Sequence, residues 1–227
     1  MTRLKPGIRI ITKGRLCYIV GSDNHPVHFK PWLGDAFSFL YDYIMYHSIF
    51  PKKFGADFQK HNQILTRSLA DIHEKRILEL GTGSGSAVKF LNNDNHYTGT
   101  DISSGLLKKA VQRFGKAGFP DPEFYLASGD DLPFEDGIFN LCLCILSLNF
   151  IGDAVKVFQE VHRILLPNGL FVCCVPLPER NSGQSKIRGV LNTEKELEKI
   201  CGDNHFRFEP VSDENGVLFY FKAIREG

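Results

Sequence analysis

The sequence predicts an α/β protein organised around a doubly wound, mostly parallel β-sheet, and three observations carry that prediction. From about residue 74 to 176, short apolar runs alternate with segments of helical periodicity. One run, Ile138–Leu146, is apolar almost throughout, as a central parallel strand covered on both faces must be. Another, Arg76–Leu80, leads straight into glycines at alternate positions, Gly81, Gly83 and Gly85, beyond which a helical pattern opens.

Taken in order, Ile8–Ile11 and Leu16–Val20 flank Lys13-Gly14 and read as a small hairpin. Phe37–His47 is dense in aromatics and, as a helix, would be apolar on nearly all sides, so it either packs deeply or lines a cavity. Asp57–Ile72 carries Phe58, Ile64, Leu65, Leu69 and Ile72 on one helical face. Then come a strand at Arg76–Leu80, a helix at Ser86–Leu91, a strand at His96–Asp101, and an amphipathic helix at Ser103–Phe114. A strand at Glu123–Leu126, the central strand, a helix at Ala154–Leu166 and a strand at Leu170–Val175 complete the alternation. Pro167-Asn168-Gly169 stops the last helix, because proline lacks the donor and glycine accepts a left-handed backbone. Residues 177–192 read as a connection or lid. Thr193 with Glu196 forms a capping box for a helix through Lys199, and Phe206–Val211 and Val217–Ile224 form a closing antiparallel pair around Asp213–Gly216. The chain divides into an N-terminal hairpin and helical extension, 1–73, serving as a substrate cap or an interface, and a ligand-binding domain, 74–227.

Composition narrows the function. The 227 residues are 43% hydrophobic and 23% charged, with a net charge of +1, so nothing calls for a nucleic-acid partner. Of six cysteines, Cys142, Cys144, Cys173 and Cys174 fall in strand-like runs at spacings that match neither a zinc site nor a redox pair. They read as buried reduced thiols, and no metal is predicted. Met1–Gly7 opens no signal peptide, and no apolar run approaches the ~20 residues of a membrane span. A reducing cytoplasm is the expected location.

The chemistry concentrates at the glycine loop. A dinucleotide loop reads G-x-G-x-x-G, whereas here the third glycine comes one position early. Glu79 stands two residues before Gly81; a carboxylate there repels a pyrophosphate and suits a ligand carrying an ammonium and a sulfonium. Asp101, at the end of the second strand, can accept both hydroxyl protons of a ribose. Ser128-Gly129-Asp130-Asp131-Leu132 forms a polar loop over the same crevice, where side chains can meet an exocyclic amine and Leu132 can pack near a base.

With these residues in view, the chain resembles the class I S-adenosylmethionine-dependent methyltransferases, in the branch of the ubiquinone/menaquinone-biosynthesis and many small-molecule enzymes. The resemblance rests on Ile77–Gly85, Gly99–Ser103, Leu132-Pro133-Phe134 with Phe139, and Glu160–Gly169. It implies a Rossmann-like, mostly parallel seven-stranded sheet with an antiparallel last strand. It implies S-adenosylmethionine as cofactor, S-adenosylhomocysteine as product, and cofactor contacts from Glu79, Gly81, Thr82, Gly83, Gly85, Asp101, Ile102, Ser128, Gly129, Asp130, Leu132 and Leu146. Glu79, Gly81 and Gly83 would face the methionine part, Asp101 the ribose and Ile102 the adenine. Ser128 stands where the family has an aspartate, leaving Asp130 or the Ser128 hydroxyl to meet the adenine amine.

The acceptor pocket is expected above the carboxyl ends of the strands. Tyr41, Tyr43, Tyr46, His47, Asn149 and Phe150 are its candidate walls, and no general base is assigned. The aromatic N-terminal segment favours a small, fairly hydrophobic acceptor. It also suits a homodimer interface or, as alternatives, docking of a protein substrate or a non-catalytic binding module.

Overall fold

A computed structural model describes residues 1–29, 40–181 and 186–227. Nine strands form one sheet: β1 (Arg9–Lys13), β2 (Leu16–Val20), β3 (Arg76–Leu80), β4 (His96–Asp101), β5 (Glu123–Leu126), β6 (Phe139–Ile145), β7 (Leu165–Pro176), β8 (Phe206–Asn215) and β9 (Leu218–Arg225), in the spatial order β1-β2-β5-β4-β3-β6-β7-β9-β8. The pairs β2–β5, β5–β4, β4–β3, β3–β6 and β6–β7 are parallel. β9 runs antiparallel between β7 and β8, and β1 runs antiparallel on β2.

The seven strands from β5 to β8 are the expected mostly parallel sheet. The hairpin extends it: Leu16, Cys17 and Tyr18 pair with Phe124, Tyr125 and Leu126, so β5 is not an edge. The Thr2 N–H donates to the Glu123 carboxylate at 2.8 Å, fixing the start of the chain to the same strand.

The helices are α1 (Tyr41–Ile44), running on as a π-helix (Met45–Lys53); α2 (Phe58–Ser68); α3 (Ser104–Lys116); α4 (Ala154–Ile164); and α5 (Glu194–Asp203). Asp57, Ser103, Asp153 and Thr193 cap the last four, each accepting a main-chain N–H, and Thr193 with Glu196 completes the capping box. One sheet face buries Phe158, Val161, Phe171 and Phe221 under α4; the other buries Ile64, Leu65, Leu107 and Phe114 under α2 and α3.

Several elements depart from the sequence reading. The expected helix at Ser86–Leu91 is a single 3₁₀ turn, Ser86–Lys89. The side chains of Asn92 and Asn95 donate to the Ile72 carbonyl, drawing the chain out of the helix toward β4. The helix expected over Ala154–Leu166 ends at Ile164, because Leu165 already pairs with Phe139 in the sheet, and Asn168 takes a left-handed φ of 62°. The expected helix Asp57–Ile72 shortens to Phe58–Ser68. In the aromatic stretch, Phe37–Phe39 lie outside the described residues; the remainder continues beyond His47 to Lys53 as a π-helix with Pro51 inside. Of the 177–192 connection, 182–185 lie outside the described residues, and Pro178–Arg180 forms a 3₁₀ turn. No helix among the described residues is long and apolar enough to cross a membrane.

Candidate active site

The glycine loop leaves β3 with Gly81, Gly83 and Gly85 all at positive φ. The three do different work. A Cβ on Gly81 would lie 2.4 Å from the Ser147 Cβ, and one on Gly85 2.8 Å from the Ala110 Cα, so both are required by packing of the chain on itself. A Cβ on Gly83 would meet nothing nearer than 3.9 Å, the closest side chain being Tyr41. Gly83 therefore has no chain packed tightly against it, only the Tyr41 ring and the Gly81 carbonyl at van der Waals contact. The loop is tied down by Thr82, whose N–H donates to the Thr100 carbonyl at 2.9 Å, and by Asp101, which accepts from the N–H of Gly83 and of Ser103, each at 2.8 Å.

Beside the loop lies a cavity of about 300 Å³. Glu79, Gly81, Thr82 and Gly83 line one side, Ile145 and Leu146 the end of β6, and Tyr41, Tyr43, Tyr46, His47 and Phe50 the opposite wall. Glu79 is buried, and the Tyr97 hydroxyl donates to its carboxylate. Burial, with the nearby Asp101 charge adding to it and the Tyr97 bond opposing it, pushes its pKa up to about 8. This is a buried acid facing the cavity and hydrogen-bonded only to a neutral hydroxyl, an environment that a ligand ammonium would complete.

The N-terminal wall is held by an ionic clamp that sequence reasoning missed. Arg113 of α3 donates to both oxygens of Asp42, at 3.1 and 2.5 Å, and to Ser84 at 3.0 Å; Ser84 donates to Asp42 at 2.6 Å. Burial works to raise the Asp42 pKa, but the Arg113 and Ser84 hydrogen bonds outweigh it and hold the carboxyl below its usual range. The clamp joins three segments far apart in sequence, which no local pattern announces. Phe58, His61, Asn62, Ser86 and Lys89 also line the cavity and were not singled out; they looked like the ordinary faces of helices.

The remaining candidates are dispersed. Ile102 is 40% exposed beside Asp101. The Ser128 hydroxyl donates to Asp130, so the two groups considered for one role sit together next to Gly129. Leu132, expected near a base, is instead fully buried in the core, its N–H donating to Glu160 at 2.7 Å. Asn149 is buried and does not line the cavity, its amide donating to the Arg188 carbonyl at 2.8 Å, while Phe150 is exposed. Leu146 holds a positive φ of 58° at the cavity edge.

A sequence model described as the methyltransferase domain matches residues 78–173, from the strand before the loop to the fifth parallel strand. Over those residues the chain is similar to the methyltransferase domain family. A demethylmenaquinone methyltransferase of Clavibacter sepedonicus is 33% identical over 122 residues, covering 51% of this chain and 49% of the relative. The chain thus spans about half the length of the curated relatives it matches. Among solved structures, the YcgJ protein of Bacillus subtilis superposes with a TM-score of 0.64 at 14% identity, covering 74% of this chain and 99% of that one. A phosphoethanolamine N-methyltransferase of Haemonchus contortus, solved with S-adenosylhomocysteine, has a TM-score of 0.60 at 16% identity, covering 75% and 53%. At these identities the likeness is one of fold.

Proposed function

We propose that this protein is an S-adenosylmethionine-dependent methyltransferase acting on a small, fairly hydrophobic acceptor. The observation that carries the reading is Glu79: a buried acid beside the loosely covered Gly83, facing a cavity whose far wall is aromatic. An arriving ammonium would displace the acid's proton and pair with the carboxylate, whereas a dinucleotide pyrophosphate gains nothing from it.

Bound S-adenosylmethionine supplies a methyl group on a sulfonium, with a neutral thioether as leaving group. The chain's work is to hold, orient and exclude water. Glu79 would pair with the amino group, the Gly83 backbone would lie against the methionine part, and Asp101 would accept the ribose hydroxyls through the lone pairs not used by Gly83 and Ser103. Ile102 would cover the adenine face, with Ser128 and Asp130 at its edge. Tyr41, Tyr46 and Phe50 would close the acceptor side. All six cysteines are free and buried, which supports a reducing, cytoplasmic setting.

Thermal-shift titration with S-adenosylmethionine, S-adenosylhomocysteine and NAD tests the donor. Stabilisation by the two sulfur ligands and not by NAD is expected; no stabilisation by either sulfur ligand sinks the reading. Methyl transfer from labelled donor to a panel of small apolar acceptors then tests the activity.

A further inference from the structure

The cavity extends past the glycine loop to a second group of residues that the donor does not account for. Phe50 and Phe58 meet edge to face with centroids 4.8 Å apart, and Tyr46 meets Phe58 in the same way at 5.4 Å. They form an aromatic wall against which a flat ring or conjugated system can pack. The Lys89 ammonium lies 4.6 Å from the Phe58 centroid, and no carboxylate among the described residues is within ion-pair distance of it. The nearby Asp42 is already engaged by Arg113 and Lys109, so three cations share one carboxylate at this end.

His61 supplies a second donor. It is 4% exposed, and its Nδ1 lies 2.9 Å from the Tyr220 hydroxyl. The orientation of the next group is set by main chain: the Asp57 N–H donates to Asn215 Oδ1 at 2.8 Å, and Asn215 Nδ2 donates to the Asp57 carbonyl at 2.9 Å. Asn215 Nδ2 therefore donates to the Tyr220 oxygen, at 3.2 Å, and the Tyr220 proton has two acceptors in reach, His61 Nδ1 and the Cys174 sulfur. With the Tyr220 proton on Nδ1, the imidazole carries its own on Nε2, for which no partner exists among the described residues, and His61 lines the cavity. Burial, reinforced by the Lys89 charge, pushes the His61 pKa down to about 4, so the ring remains neutral at physiological pH.

We infer that Phe50, Phe58, His61 and Lys89 form the acceptor subsite, and that it takes a small planar acid, an aromatic or conjugated carboxylate held by the Lys89 ammonium and the His61 Nε2–H. This rests on the methyltransferase reading for the word acceptor. The same chemistry has a second source, the carboxylate of the donor's own amino-acid part, and the test separates the two.

Benzoate and its neutral isostere benzamide are titrated calorimetrically into the protein saturated with S-adenosylhomocysteine. Benzoate is expected to bind about tenfold or more tightly than benzamide, on the scale of a charge-assisted hydrogen bond. Lys89→Met and His61→Gln should each abolish that preference while leaving S-adenosylhomocysteine affinity within about twofold. Equal binding of benzoate and benzamide by the wild type overturns the inference. So does a Lys89→Met protein that loses S-adenosylhomocysteine affinity but keeps that for 5′-methylthioadenosine, which lacks the amino-acid part; Lys89 would then hold the donor. Failure of S-adenosylhomocysteine to bind the wild type is a separate result, and it refutes the donor reading instead.

Discussion

At the scale of single residues, Glu79 is the most informative side chain. Its folded-state pKa, about 8, lies above the ordinary value of 4.5. The folded protein therefore keeps a proton that the unfolded chain releases. The stability this confers is fully present below about 4.5 and is lost as pH climbs through 8. Glu79→Gln should flatten that decline, gaining about 1–3 kcal/mol over wild type at pH 8 in urea unfolding. A cationic amino group arriving beside Glu79 must discharge the proton. Titration of S-adenosylhomocysteine at pH 7 in buffers of differing ionisation enthalpy should show release of roughly one proton, and Glu79→Gln should show none. Asp101 serves the loop as well as the ligand, since it accepts from Gly83 and Ser103. Asp101→Ala should weaken S-adenosylhomocysteine binding by about 1–3 kcal/mol and lower unfolding stability by about 1–2 kcal/mol. Unchanged affinity would remove the ribose assignment. Glu79 and Asp101 were legible in the sequence because each sits at a fixed offset from a strand end. Lys89 and His61 were not: their significance lies in what faces them across the cavity, and nothing within a few residues of either reports it.

Among the elements, the junction of α1 with the glycine loop matters most. Arg113, Asp42 and Ser84 bring α3, α1 and the loop together, and the π-helix continues from α1 along the cavity wall. A π-helix of this length gives up ordinary hydrogen-bond geometry, and such segments occur chiefly where function requires it. Removing the clamp with Arg113→Met leaves Asp42 half-buried with the Ser84 hydroxyl, Lys109 at 3.7 Å and the more distant Lys89. Hydrogen exchange over 41–53 should accelerate while β3 and β4 keep their protection, with a global loss of about 1–2 kcal/mol; uniform acceleration would show that the clamp supports the whole fold. The glycine loop, α3 and the capping box on α5 were readable from local patterns. The π-helix and the 3₁₀ turn after the loop were not. Periodicity reports which residues are apolar, and here Asn92, Asn95 and the Asp42 clamp decide the backbone path.

For the whole molecule, the parallel run of the sheet followed from alternation, the antiparallel closing pair from the turn before β9, and the count of seven strands from the resemblance; their spatial order had to be seen in the structure. The docking of the hairpin did not, because pairing of β2 with β5 joins the start of the chain to its middle and leaves no mark at either place. Its energetic weight is considerable: Leu16, Cys17 and Phe124 are buried in the junction. Deleting residues 1–29 exposes β5 as a naked edge. The truncated chain should be destabilised by several kcal/mol, at about 2 kcal/mol for each large apolar side chain uncovered, and light scattering should show it aggregating where the full chain does not.

The sheet order also decides what its two outer strands present to solvent. β1 begins and ends on cations, Arg9 and Lys13, and β8 carries Arg207, Glu209 and Asp213, with Pro210 withholding one donor from the ladder. A second copy approaching β1 meets like charge before it finds a hydrogen bond, and one approaching β8 finds the ladder interrupted. Growth of the sheet from copy to copy is thereby discouraged at both ends, so self-association of the intact chain has to use helix or loop surfaces and not a shared ladder of strands.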